Sequence, residues 1–481
     1  MTIERLRGID AAFLYLETPS QHMHVTATML FEPAPLHLPG GAAPDAAMVA
    51  AVMADRLAHR LAADPSFRRR LAAAPLAMTH PAWVDAADFD VDDHVRLVTL
   101  PVPGSREQLR EEVGRIAQVP LDRRRPLWEL TAIAGVEGGL VAVVLKVHHA
   151  MVDGVSGVEL FARLFVDACL QEPKGAPPVA VPSPFALVAS AGVAALTLPG
   201  RVYRTVTRTL GVLGPAVRAA LGSVAAPAPT LPFSAPRTAL NRALTAERRV
   251  AFGRVPLADI KEVKTAFAVT VNDVVLGACA LALGEYLREK GEDPQQPLVA
   301  SVPVSEHGAD DAAAPNRVSV MFVGLPVHLR EAGEVLCFVH AGAAGAKRLH
   351  GALGRAMLAE WAELAPPAIL TAAAGLYSRW QLADRLPPPH SVVISNVPGP
   401  PFTLTTEEAR LVAAYPIGPV LEGAGINISV LSYVDTVHVG LVTCPRTVPD
   451  PAELARGIER AVAAMLDAAR RLGTAPEAAR A

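Results

Sequence analysis

The stretch LVAVVLKVHHAMVDG, Leu140 to Gly154, decides how the chain is read. Its first eight residues are apolar apart from Lys146, half of them β-branched, and short, which predicts a buried strand over Leu140 to Val147. The strand ends in His148 and His149, followed by three small or apolar residues and then Asp153-Gly154. Neighbouring side chains on an extended chain point to opposite sides, so only one of the two histidines faces a given cleft. A neutral imidazole titrates near pH 6.5 and suits a general base. Asp153 falls in the turn into a helix expected from Ser156 to Leu170, where a carboxylate caps the helix or pairs with an arginine. Gly154 permits a backbone conformation that a side chain resists. HHxxxD has the residue types for metal ligation, but adjacent histidines diverge and no Cys/His cluster accompanies them, so no metal is expected.

Working outward, strands and helices alternate. Val25 to Phe31 reads as a second buried strand, and Asp45 to Leu61 and Arg106 to Val119 show helical spacing of apolar residues. Residues 1–172 thus read as one α/β domain. The composition changes over 173–246, which holds no Asp or Glu and seven basic residues: Lys174, Arg201, Arg204, Arg208, Arg218, Arg237 and Arg242. Arg201, Arg204 and Arg208 share one helical face, with Val202, Val206, Leu210, Leu213 and Val217 opposite. Two readings stand for this Pro/Ala-rich segment: an interdomain linker with one packed helix, or a cationic amphipathic helix resting on an anionic lipid surface. Pro215 would interrupt a longer helix. The α/β pattern returns over 247–481. Strands are expected at Arg248 to Phe252, Gln296 to Val302, Arg317 to Pro326, Ser391 to Ile394, Ile426 to Tyr433 and Val437 to Thr443. Helices are expected at Val271 to Arg288 and Pro451 to Leu472, with a tail after Gly473.

With 44 basic and 47 acidic residues the formal charge is −3, against a nucleic-acid binder. The four cysteines are far apart, so neither a disulfide framework nor a zinc site is indicated. No secretion signal and no spanning helix is read, and the expectation is a cytoplasmic protein. A GxSxG elbow and a phosphate-binding glycine loop are both missing, against lipase, ATP and nicotinamide chemistry.

HHxxxDG directly after a buried strand resembles the hallmark of the CoA-dependent acyltransferases, and here the bacterial wax ester synthase/diacylglycerol acyltransferase family. Further blocks carry the resemblance along nearly the whole chain. They are Asp10 and Phe13 in GIDAAFLYLE with Glu17 and Met23-His24-Val25, VPLDRRRPLWE with Pro126-Leu127-Trp128, and Val271-Asn272-Asp273-Val274-Val275. Asn316-Arg317-Val318-Ser319, Ser395 to Pro400 (SNVPGP) and Gly423 to Ile428 (GAGINI) complete the set.

The resemblance implies an α/β fold of two chloramphenicol-acetyltransferase-like domains, each a mixed sheet with flanking helices, the active site lying in a tunnel at their interface. It implies acyl-CoA as co-substrate with CoA released and no resident cofactor. The acceptor is diacylglycerol or a long-chain alcohol, giving triacylglycerol or wax ester. Peripheral contact with the inner face of the membrane or a lipid droplet is expected. His149 is then the general base, His148 shapes the loop, and Asp153 and Gly154 organise it. Asn272 contacts the reacting groups or, alternatively, caps the helix that follows. Glu17, Asp273 and Trp128 take substrate-binding places, against a salt-bridged glutamate and a packed tryptophan. SNVPGP and the glycines Gly423 and Gly425 read as turn and close-approach positions. Pro315 stands where the family often has Gly. Two alternatives remain: the same fold acylating another acceptor, and a catalytically weak paralogue that binds lipid surfaces. Oligomeric state is not legible.

Overall fold

The computed structural model describes residues 5–6, 8–33, 45–73, 79–151, 164–165, 197, 199–209, 211, 230–305, 318–353, 364, 366–406 and 409–474. The strands are β1 (His24–Pro33), β2 (Arg69–Ala72), β3 (Ala82–Asp85), β4 (Val95–Thr99), β5 (Trp128–Val136), β6 (Leu140–His148) and β7 (Arg249–Pro256). They continue as β8 (Leu298–Ser305), β9 (Val318–Leu325), β10 (Val392–Pro398), β11 (Ala409–Ile417), β12 (Ile426–Tyr433) and β13 (Thr436–Thr443). The helices used below are α1 (Gly8–Tyr15), α2 (Ala46–Ala63), α3 (Arg106–Ala117), α4 (Leu257–Phe267) and α5 (Val271–Glu289). After them come α6 (Ala332–Leu353), α7 (Pro367–Arg379) and α8 (Pro451–Thr474).

Two mixed sheets organise these elements, in the orders β11-β1-β6-β5-β4 and β7-β13-β12-β10-β8-β9, beside a small β2-β3 hairpin. The β-branched run of β6 makes it a central strand, paired antiparallel to both β1 and β5. One side of the first sheet buries Met29, Phe31, Leu130, Val143 and Leu145 against Met53, Leu57 and Leu61 of α2. Asp45 caps that helix by accepting the Ala47 and Met48 N–H groups. In the second sheet, Ile394, Ile428 and Leu441 bury against the Val274–Leu283 face of α5 and against Ile458 and Met465 of α8. A third core lies between the halves, where Leu109 and Val113 of α3 and Ala142 and Val144 of β6 meet Val250, Ile417 and Val442.

Sheet membership does not follow a linear cut at Glu247. Strand β11, absent from the sequence reading, lies within 247–481 yet completes the first sheet by pairing antiparallel with β1, Tyr415 opposite Thr28. Where β11 passes the second sheet, Gly440 of β13 approaches Pro416 so closely that a Cβ would lie 1.8 Å from the Pro416 carbonyl oxygen.

Helices α2, α3, α5 and α8 and strands β1, β6, β12 and β13 lie within a few residues of their expected bounds. Only Leu164 and Phe165 of the expected Ser156–Leu170 helix are described, both helical. Residues 199–209 form a helix in which Thr205 is buried, whereas Val202 and Tyr203 are exposed. Leu210, Leu213, Pro215 and Val217 lie outside the described residues. No single helix among the described residues is long and apolar enough to cross a membrane.

Candidate active site

The histidine pair sits where β6 runs out. The His148 N–H still donates to Leu127 O at 2.9 Å, and the His149 N–H donates to Met23 O at 2.8 Å. The two rings then part, as the strand alternation requires. His148 points inward with a side chain 1% exposed. Its Nδ1 accepts the Ala150 N–H at 3.1 Å, so in the neutral ring the proton belongs on Nε2. His149 turns the other way and stacks on Phe13 of α1, centroids 4.0 Å apart at 27°. Its Nδ1 is buried with no hydrogen-bond partner among the described residues. Burial, seconded by the neighbouring His148, pushes His149 down to about 4, so the ring is neutral at pH 7.

Beneath His148 lies Glu17. Its Oε1 is 3.3 Å from His148 Nε2 and accepts the Met23 N–H at 2.8 Å. Its Oε2 takes Arg123 through Nη2 at 2.6 Å and Nε at 3.1 Å. Arg123 also donates to Leu14 O, tying α1 to the same group. Burial acts to raise the Glu17 carboxyl, but His148, the Met23 N–H and Arg123 together pull it to about 2. An ionised Glu17 thus faces the Nε2 edge of His148, and through Met23 it steadies the segment that anchors His149.

Both oxygens of Glu17 have partners within the protein, the salt-bridged arrangement that stood beside the substrate-binding one. Trp128 is likewise turned from tunnel lining to packing. It is 1% exposed, stacks on His94 at 4.5 Å and donates its indole N–H to Phe67 O at 2.8 Å. Asp273, also expected at the substrate, is buried in a capping box. Its Oδ2 accepts the Thr270 N–H, its own N–H donates to Thr270 Oγ1, and His340 Nδ1 lies 2.8 Å from the same Oδ2. Thr270, and not Asn272, is the N-cap of α5. That frees the Asn272 side chain, which is half-buried with its Oδ1 3.5 Å from Asn396 Nδ2 in the SNVPGP block. Asp153, Gly154, Pro315, Asn316 and Arg317 lie outside the described residues.

Phe13 and Arg123 are neighbours of the histidine pair and of Glu17 that sequence reasoning left without a role. Arg123 is one of three consecutive arginines. The other two pair with exposed carboxylates, Arg124 with Asp122 at 2.8 Å and Arg125 with Asp93 at 3.1 Å. Only the fold tells which of the three reaches Glu17. Gly423 adopts φ +83°, and a Cβ on Gly425 would meet Thr447 Oγ1 at 2.5 Å, in keeping with close-approach glycines. Among the described residues no group of three His, Cys, Asp or Glu is placed to hold a metal ion.

Two mixed sheets flanked by helices define a fold class also seen in peptide-synthetase condensation domains. The first condensation domain of the calcium-dependent antibiotic synthetase in complex with a substrate analogue superposes with a TM-score of 0.53, at 16% identity over 98% of this chain and 97% of that one, a likeness of fold alone. Within that class the chain belongs to the wax ester synthase/diacylglycerol acyltransferase family. Residues 6–275 match its catalytic-domain model and residues 314–466 its C-terminal-domain model. A Mycobacterium tuberculosis (strain CDC 1551) protein, provisionally named a diacylglycerol O-acyltransferase, is 36% identical over 97% of this chain and 90% of its own length. The solved wax ester synthase/diacylglycerol acyltransferase from Marinobacter aquaeolei VT8 is 28% identical, with a TM-score of 0.68 over 97% of this chain and 100% of that one.

Proposed function

We propose that this acyltransferase moves a fatty acyl group from acyl-CoA to the hydroxyl of a diacylglycerol or long-chain alcohol, with His149 as the general base. The observation that carries the reading is the neutral, half-buried His149 at the end of β6, held by Phe13 on its face and by the Met23 carbonyl at its backbone. The imidazole accepts the hydroxyl proton as the oxygen attacks the thioester carbonyl. The tetrahedral intermediate then collapses, the C–S bond breaks, and the imidazolium returns the proton to the leaving thiolate. Ester and CoA–SH result, with no covalent acyl-enzyme and no net proton exchanged. Burial disfavours the imidazolium and so drives the proton onward to sulfur. Asn272, relieved of capping, is the candidate donor to the intermediate's oxyanion through its amide N–H. His148, Glu17 and Arg123 are positioning residues.

The test uses purified protein with palmitoyl-CoA and either hexadecanol or dioleoylglycerol, measuring CoA release and separating lipid products. Ester that disappears in His149→Ala establishes the reaction, and the preferred acceptor fixes its product. A folded parent that makes ester from neither acceptor refutes the reading.

A further inference from the structure

Helix α7 carries its apolar stripe outward. Ile369, Ala373, Leu376 and Trp380 follow at spacings i, i+4, i+7 and i+11 and share one face. That face is in solvent: Ile369 is 64%, Leu376 44% and Trp380 56% exposed. The opposite side meets the protein. Leu370 packs on the cluster of Leu6, Leu14, Tyr15, Leu127 and Ala150, and Ser378 Oγ lies 2.8 Å from Ser20 Oγ.

The stripe is not alone. Leu386 (45%), Leu231 (53%) and Phe233 (66%) are also exposed. They are tied to one another and to the turn after α7: the Phe233 N–H donates to Pro389 O, and Arg237 Nη2 donates to the carbonyls of Ala383 and Leu386. From residue 364 to 383 the sole charged residue is Arg379; Arg385 follows in the next turn, to which Arg237 is bonded. Of the two carboxylates that flank this run, Asp384 is engaged by Arg446 at 3.3 Å and by the Ala243 N–H, and Glu363 lies outside the described residues. A soluble surface rarely leaves a tryptophan and several aliphatic side chains together in water.

We infer that α7, with Trp380, Leu386 and the Leu231–Phe233 segment, is the face this protein lays on an anionic lipid surface. The apolar stripe enters the headgroup–acyl boundary and Arg379, Arg385 and Arg237 meet the phosphates, the division of labour of an interfacial helix. Position gives this face a use. Its inner side packs through Leu370 on the α1-centred cluster that also contains Ala150 and receives Met151, the residues that follow His149, so the adsorbed lipid lies at the histidine end of the molecule. A hydroxyl lipid then reaches the site beside α1 and α7 without crossing bulk water. This last step rests on the proposed lipid acceptor; the adsorption itself does not. The competing surface is the 199–209 helix with Arg201, Arg204 and Arg208.

The experiment measures co-sedimentation of the full chain with phosphatidylcholine vesicles containing phosphatidylglycerol, alongside esterification of 1-hexanol without vesicles. Ile369→Asp with Leu376→Asp, and separately Arg379→Glu with Arg385→Glu, should each lower the vesicle-bound fraction at least tenfold and leave hexyl ester formation unchanged. The charge-reversal pair guards against an apolar variant that fails to fold. Binding unchanged in both variants, or lost only on reversing Arg201, Arg204 and Arg208, overturns the inference. A parent that makes no hexyl ester but still binds vesicles through this face counts against the catalytic reading and leaves the surface standing.

Discussion

Glu17 holds His148 and Arg123 with different oxygens, 3.3 Å from His148 Nε2 through Oε1 and 2.6 Å from Arg123 Nη2 through Oε2. One carboxylate therefore fastens the histidine pair to the loop after α3. Glu17→Gln keeps the shape but removes the charge, weakening both contacts and the Met23 anchor under His149. Hydrogen bonds to charged groups contribute about 1.5–3 kcal/mol. If that is lost in the transition state, kcat should fall by roughly ten- to a hundredfold. Because Glu17 touches no substrate in this reading, KM should move little. A KM that rises with kcat unchanged would instead return Glu17 to substrate binding.

Asn272 and Asp273 are neighbours with opposite duties, and two substitutions separate them. Asp273→Asn turns a charged acceptor shared by the Thr270 N–H and His340 into a neutral one, so thermal stability should drop, by about 1 kcal/mol for a damaged cap. Asn272→Ala removes no cap, and its melting temperature should stay close to the parent's. Its kcat should fall by about 10²–10³, the effect of losing one oxyanion donor. Calorimetry and steady-state kinetics on both variants decide it. Equal melting losses with intact kcat would make Asn272 structural.

The sequence made the strand β6, the two α/β halves and the strand β12 readable, because β-branched runs and punctuating turns are local signals. What stayed hidden depends on distant partners. The β11 sequence ARLVAAYPI has the pattern of a strand, yet nothing local says that it leaves its neighbours to pair with β1, almost 400 residues earlier in the chain. Glu17 and Arg123 were visible as motif members, but their union is a tertiary fact. Trp128 stood between packing and tunnel wall, and the ring of His94 on which it stacks comes from another turn, beyond any local signal. The exposed stripe of α7 has helical spacing, but spacing alone does not tell which face the fold covers.

Several buried histidines set the acid limit of the fold. Burial pushes His24 to about 3 and His390 and His438 to about 4. An unfolded histidine titrates near 6.5, so between about pH 6.5 and 4 the unfolded chain binds more protons and stability falls as pH is lowered. Glu17 acts in a lower window, since its depressed carboxyl gives up stability only as pH drops from about 4.5 towards 2. The melting temperature should therefore decline steadily from pH 7 to 5. His438 is 3% exposed between Tyr415 and Tyr433, with neither ring nitrogen bonded among the described residues. His438→Leu should match the parent at pH 7.5 and lose less on acidification. A variant with the parent's full pH slope would place the acid sensitivity elsewhere.

The crossing of β11 over the second sheet gives a purely steric prediction. In Gly440→Ala the new methyl group would sit 1.8 Å from Pro416 O, and both atoms belong to paired strands, β13 on one side and β11 on the other. Neither backbone can yield without breaking its ladder, so the strands must part. Overpacking of a close-packed interior costs typically 1–3 kcal/mol when side chains can adjust, and a backbone contact leaves less room to adjust. The expected loss is at least that large, about 4 °C or more in melting temperature. Gly253→Ala is the control on the adjacent strand β7, where the nearest atom to an added Cβ is 3.5 Å away, an ordinary contact. Gly440→Ala should also disturb activity, because β11 seals the sheet that carries β1 and, through Met23, the backbone of His149. Equal melting temperatures for the two variants would show that the sheets are not locked at this crossing.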